Sequence, residues 1–197
     1  MLNAHKPTAI LCLMLLSSLL CQSNAVVAGG PPKAGESFPS IGLPAPGNVS
    51  HGAYLGIGDR GTFNLEQIDA QVLVIEIFSM YCPYCQREAP LVNRLFETVE
   101  SNPRLNIKVK LLGIGVGNSP FEVDIFRKKY RIRFPLIPDP DYKVHKMIGE
   151  VRTPYFFVLC LVGGNPPKVI YSKLGGIGDI DKFMNIISSA LSTCAKE

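Results

Sequence analysis

The apolar run near the N-terminus, Ala9 to Leu20, is 12 residues long. A membrane-spanning helix needs roughly 20, so a transmembrane anchor is the weaker reading. The 20 Lys and Arg are scattered rather than gathered along one stripe, and a net charge of +4 so distributed gives no footprint for nucleic acid. No Gly-Lys-Ser/Thr follows Gly113, Gly115 and Gly117, which argues against a phosphate loop and leaves these glycines to end a strand. Zinc is excluded in the same way, because Cys160, Cys194, His51 and His145 stand alone and no second Cys or His pair has ligand spacing. There is no internal repeat, and no cofactor or metal is expected.

A basic start, His5 and Lys6, leads into that apolar run and then into small polar residues, the pattern of an export signal over residues 1–25. Cleavage after Ala25 or after Ala28 fits the small residues there. Membrane attachment is expected only if Cys21 is lipidated, and the bulky Leu20 before it stands where a small residue is wanted. Removing the signal leaves 172 residues with a charge of +3, enough for one domain with a sizeable core. It also discards Cys12 and Cys21, leaving Cys82, Cys85, Cys160 and Cys194 in an oxidising compartment, periplasmic or secreted. Four cysteines allow three pairings. Adjacency favours Cys82 with Cys85. Cys160 and Cys194 are then a second pair or two free thiols, Cys160 a buried small hydrophobe and Cys194 a loose thiol at the frayed end of the last helix.

Residues 26–52 are rich in Gly, Pro and Ala without apolar periodicity and read as an irregular lead-in or linker; the domain is expected over 53–197. Gly56-Ile57-Gly58-Asp59-Arg60-Gly61 matches a dinucleotide fingerprint, but no long helix follows it. It reads better as the turn of a hairpin between Ala53–Ile57 and Thr62–Leu65. A strand is expected over Val72–Phe78, a helix over Gln86–Glu100, and a strand over Lys108–Val116. A helix then opens at Ser119 with a capping box and Pro120 at its first position. A short extended piece at Phe134–Ile137 and a short helix at Tyr142–Ile148 follow. The strands Tyr155–Val162 and Val169–Leu174 form a hairpin-like pair, and a closing helix starts at Asp179 with Phe183, Ile186, Ile187 and Leu191 on one face. This order implies a mixed sheet with helices on both sides.

Between the first of the central strands and its helix lies Cys82-Pro83-Tyr84-Cys85. Two cysteines so spaced at a helix start suit dithiol–disulfide exchange, in which one sulfur attacks and the other resolves. Cys82 is the expected nucleophile, because unpaired N–H groups at the helix N-terminus favour a thiolate, while Cys85 lies a turn further in. Pro83 suits the first turn, where its missing N–H would have no partner.

The stretch from Val74 to Pro90, which contains the tetrad, together with Arg152-Thr153-Pro154-Tyr155-Phe156, resembles the thioredoxin superfamily. More narrowly it resembles the exported TlpA/ResA-type thiol–disulfide oxidoreductases, also grouped with AhpC/TSA-like proteins, over about Gly35 to Leu191. The resemblance implies a three-layer α/β/α sandwich of thioredoxin type with an N-terminal β-hairpin. It implies a cis peptide before Pro154, with Thr153 turned outward to pair with a substrate strand, so that Pro83, Tyr84, Thr153 and Pro154 contact substrate. Glu76 falls where such proteins carry a buried acid that moves the proton of the resolving cysteine; its alternative is a strand-edge carboxylate reaching solvent. Glu88 falls in the Cys-x-x-Cys-x-x-Glu-x-Pro pattern, where it influences thiol acidity; its alternative is a first-turn carboxylate favoured by the helix dipole.

The function implied is reduction of protein disulfides outside the cytoplasm, as in cytochrome c maturation, with a membrane-embedded electron donor reducing the Cys pair. The Pro-Tyr dipeptide is also that of glutaredoxins, with couples near about −200 to −230 mV, so an oxidase or isomerase is the close rival. A thiol peroxidase would use Arg152 and Ser79, but Ile75 stands where its pattern wants proline. A redox-inert chaperone or scaffold is the non-enzymatic alternative. Asn48-Val49-Ser50 is a glycosylation sequon only in a eukaryotic secretory setting, whereas the resemblance is to bacterial proteins.

Overall fold

The structure, a computed structural model, describes Met1 and residues 29–58, 61–162 and 166–196. The expected export signal, Cys21, Asp59-Arg60 and Gly163-Gly164-Asn165 lie outside the described residues.

Five strands form the central sheet in the order β5-β4-β3-β6-β7. Its middle strand β3 (Val72–Phe78) is buried at every position, as a strand of β-branched and aliphatic residues covered on both faces should be. It runs parallel to β4 (Val109–Val116) and antiparallel to β6 (Tyr155–Cys160). The short edge strand β5 (Leu136–Asp139) lies parallel to β4, and β7 (Lys168–Leu174) closes the other edge antiparallel to β6. The helix α2 (Pro83–Glu100) follows β3, α3 (Pro120–Tyr130) follows β4, α4 (Lys143–Met147) follows β5, and α5 (Ile180–Cys194) ends the chain.

Alternation along β3 divides the core. Val72, Val74 and Phe78 face the layer of α2, α3 and α5, packing with Val92, Leu95, Phe126 and Phe183. Leu73, Ile75 and Ile77 face the other side, packing with Phe38, Leu55, Phe63 and Val144. The close approach of α3 to β4 depends on Gly115, where a Cβ would come within 2.9 Å of Val123 Cγ2. Gly113 and Gly115 thus lie inside β4 rather than ending it.

Three expectations change at the N-terminal end. The helix α1 (Val49–Leu55) occupies Ala53–Leu55, where a strand was expected. Its Asn48 N-cap accepts from Ser50 N at 2.9 Å, and Gly56 ends it in the left-handed region (φ 69), so the fingerprint-like glycines begin with a helix cap. The N-terminal β pair exists, but its strands are β1 (Gly42–Pro44) and β2 (Thr62–Asn64). Residues 26–52 are not a loose lead-in throughout. Phe38, Ile41 and Leu43 are buried, and Gly35 N and Phe38 N donate to Val169 O and Pro167 O beside β7. The aromatic and aliphatic residues spaced through this stretch bury against the sheet although they carry no helical or strand period.

A fourth change concerns cysteine. Cys160 and Cys194 form a disulfide with Cα atoms 5.7 Å apart, so Cys194 is not a loose thiol. Both are buried; Cys160 ends β6 and Cys194 sits in the last turn of α5, so the bond ties the closing helix to the sheet. Cys160 lies opposite Val72 at the start of β3, at the end of the sheet remote from Cys82.

Candidate active site

The turn leaving β3 is held from several sides before it reaches Cys82. Met80 N donates to Asn118 Oδ1 at 2.8 Å, and Gln86 Nε2 donates to Met80 O at 2.8 Å. Tyr81 Oη donates to Glu122, whose other oxygen accepts from Ser119 N at 2.7 Å. The expected capping box of α3 therefore also anchors the turn that carries the tetrad. Asn118, fully buried, and Gln86 drew no attention in the sequence, because their partners lie on the backbone of the turn.

Cys82 is the N-cap residue of α2 and Pro83 its first residue. Both cysteines are free thiols, Cys82 partly exposed and Cys85 fully buried. Burial alone would raise the Cys82 thiol. Hydrogen bonds from the Thr153 side chain, the Cys85 backbone and thiol, and the Tyr84 backbone outweigh it and bring the thiol below its ordinary value. Cys85 is pushed strongly upward by burial, with the Glu76 and Cys82 charges adding to it against a backbone hydrogen bond from Ser79. The two sulfurs, three residues apart, thus differ sharply in acidity.

Thr153 and Pro154 precede β6 and face the tetrad. Their peptide bond is cis, and Cys82 Sγ lies 3.3 Å from the Thr153 carbonyl oxygen. The segment before them is braced by α4. Asp139, buried at the end of β5, accepts from Val144 N at 3.2 Å and His145 N at 3.0 Å. His145 Nε2 in turn donates to Val151 O at 2.8 Å. Asp139 so caps a helix whose own N-cap residue, Tyr142, makes no side-chain cap bond.

Glu76 lies mid-strand on the α2 side of the sheet, 4% exposed, not at an edge reaching solvent. Its Oε1 has no hydrogen-bond partner among the described residues. Burial, then the Glu88 and Cys82 charges, raise its pKa to about 8. Glu88 is half-buried in the second turn of α2, so it is not a first-turn carboxylate. Its Oε1 accepts from Ile177 N at 2.7 Å, and a Cβ at Gly176 would push this carboxylate aside. Glu88 therefore joins α2 to the loop after β7 while its charge acts on Glu76. Tyr84 is exposed beside the pair, with the Arg87 guanidinium 4.5 Å from its ring centroid.

No group of three or more His, Cys, Asp or Glu able to hold a metal ion occurs among the described residues, and none of their helices is long and apolar enough to cross a membrane. A model of the AhpC/TSA family matches residues 35–171. No curated protein sequence matches the chain. Among solved structures, a Chlorobium tepidum protein described as a thiol:disulfide interchange protein DsbE superposes with TM-score 0.60 at 17% identity, covering 81% of this chain and 99% of its own. The thioredoxin domain of a Bacteroides vulgatus thiol-disulfide oxidoreductase gives 0.58 at 12%, covering 80% and 97%. A secreted Mycobacterium tuberculosis disulfide oxidoreductase gives 0.51 at 17%, covering 66% and 89%. These likenesses establish the thioredoxin-like α/β/α fold.

Proposed function

The chain belongs to the AhpC/TSA family, and we propose that within it this protein is an extracytoplasmic reductase of protein disulfides that works through the Cys82–Cys85 dithiol. The observation that carries this reading is the contrast between the two thiols. Cys82 is reachable and acidified, and Cys85 is buried and held protonated.

In the proposed reaction the Cys82 thiolate attacks a substrate disulfide. The substrate S–S bond breaks, a mixed disulfide forms, and the departing thiolate takes up a proton. Cys85 then attacks the Cys82 sulfur, releasing the second substrate thiol and closing the Cys82–Cys85 disulfide. Two electrons pass from the dithiol to the substrate. Cys85 must lose its proton for this second step, and Glu76, with a pKa of about 8, is the base proposed to take it. Glu88 tunes Glu76 by its charge, and Pro83, Tyr84, Thr153 and Pro154 form the surface on which the substrate strand lies. A membrane-embedded donor would restore the dithiol, and cytochrome c maturation is the class of pathway that uses such a reductase.

Reduction is the direction that the resemblance to TlpA/ResA-type proteins supports. A redox titration of the purified protein tests the reading. A couple between about −220 and −280 mV, lost on Cys82→Ser, supports a reductase. A couple near about −120 mV would make it an oxidase, and thiols that never exchange would leave only a scaffold.

A further inference from the structure

Two open grooves meet at Thr153. One, of about 460 Å³, is lined by Ser79, Tyr84, Tyr142, His145 and Arg152 among others; the second, of about 350 Å³, by Tyr84, Arg87, Glu88, Arg152 and Leu174 among others. Thr153, whose carbonyl oxygen touches Cys82 Sγ, and Arg152 line both. An extended segment with its cysteine at Cys82 would therefore run through both grooves and pass Arg152. The charge along this path is net positive, two guanidinium groups against one carboxylate. Arg87 and Arg152 are exposed, and neither has an ion-pair partner among the described residues. The single carboxylate in either lining, Glu88, is engaged by Ile177 N. Arg87 is already held against the Tyr84 ring, so little freedom is lost when it meets a partner. Tyr84, Tyr142 and Leu174, all exposed, supply flat apolar contact beside the two guanidinium groups.

We propose that Arg87 and Arg152 are specificity-determining residues that select protein segments carrying acidic side chains on both sides of the reacting cysteine. The inference rests on the disulfide-exchange reading of Cys82 and Cys85. A guanidinium offers a carboxylate paired N–H donors, and net positive charge in a cleft speeds encounter with an acidic partner while disfavouring a basic one. Two grooves that share Arg152 and Thr153 suit a chain segment passing through both better than a small acidic disulfide.

The test uses the full mature protein, reduced beforehand, and disulfide-linked peptide dimers that differ only in two Asp, two Gln or two Lys flanking the cysteine. In a single turnover each dimer gains two electrons and yields two peptide thiols as the Cys82–Cys85 disulfide closes. The second-order rate constant is expected to fall in the order Asp, Gln, Lys, with Asp over Lys by about tenfold at low salt and less at high salt. Arg87→Glu with Arg152→Glu should reverse the order, a change that mere loss of fold would not give; Arg87→Gln with Arg152→Gln should abolish it. Equal rates for the three dimers, a preference that survives in the double variants, or faster turnover of glutathione disulfide than of the Asp dimer would each overturn the inference. Absence of turnover with every disulfide would instead sink the exchange reading on which it rests, and the inference with it.

Discussion

Cys82 Sγ sits 3.3 Å from the Thr153 carbonyl oxygen, across 71 residues of sequence, so the sulfur proposed to attack and the backbone proposed to hold its substrate are in direct contact. The Thr153 side chain also contributes to lowering the Cys82 thiol, so under that proposal one residue would serve both substrate docking and nucleophile activation.

Thr153→Val keeps the shape and branching of the side chain but removes its hydroxyl. The Cys82 thiol should move upward, since one of several hydrogen bonds that lower it is lost. The pH profile of iodoacetamide alkylation reads this directly: the midpoint should shift to higher pH in the variant, and an unchanged midpoint would assign the acidification to the Cys85 backbone and thiol and the Tyr84 backbone.

Glu76 supplies a pH dependence of known sign. Its folded pKa, about 8, lies above the ordinary 4.5, so its favourable contribution is fully present below pH 4.5 and is lost as pH rises through 8. Glu76→Gln removes this loss. Chemical denaturation should show the variant gaining on the parent between pH 5 and 9, by on the order of a few kcal/mol at the top of the range. Release of substrate from the mixed disulfide should slow by about 100-fold at pH 7 in the same variant, with the first attack by Cys82 little changed; stopped-flow separates the two phases.

Glu88 has two separable roles. Glu88→Ala leaves Ile177 N without its acceptor and should destabilise the protein by about 1–3 kcal/mol. Glu88→Gln keeps an acceptor oxygen and should cost less, while removing the charge that helps raise Glu76. Thermal unfolding follows the first effect. The second appears as a downward shift of the Glu76-dependent midpoint in the resolution rate.

The Cys160–Cys194 bond closes a loop with a sequence separation of 34, and both residues are buried. Replacing both by Ala should lower stability by about 2–4 kcal/mol while disulfide exchange at Cys82 continues. Mass spectrometry after mild reduction of the native protein, removal of the reductant and alkylation in denaturant should find two labels, at Cys82 and Cys85, and not four.

Much of the fold could be read because its signals are local. The Ser119 box, the Asp179 cap and the apolar stretch of β3, broken only by Glu76, each act within a few residues, and all three recur in the structure. At the N-terminal end the local signal misled. Ala53–Ile57 has the look of a strand, yet Asn48 caps a helix there, and Tyr54 Oη reaches over to accept from Leu111 N at 2.9 Å on β4. Asp139 and Asn118 escaped notice, and His145 stood out only as a lone candidate zinc ligand, for a related reason: each is an ordinary polar residue until the loop it braces is folded against it.

By itself the sequence determined where the Cys82–Cys85 pair stands and the order of strands and helices from β3 onward, since a Cys pair before a helical stretch and the periods of apolar residues are properties of short windows. Tertiary structure alone decided that Glu76 is buried beneath that pair, that Glu88 reaches Ile177, and that Cys160 meets Cys194. Each of these joins positions remote in the chain, or depends on which face of the sheet is covered, and burial and proximity come only from packing the layers together.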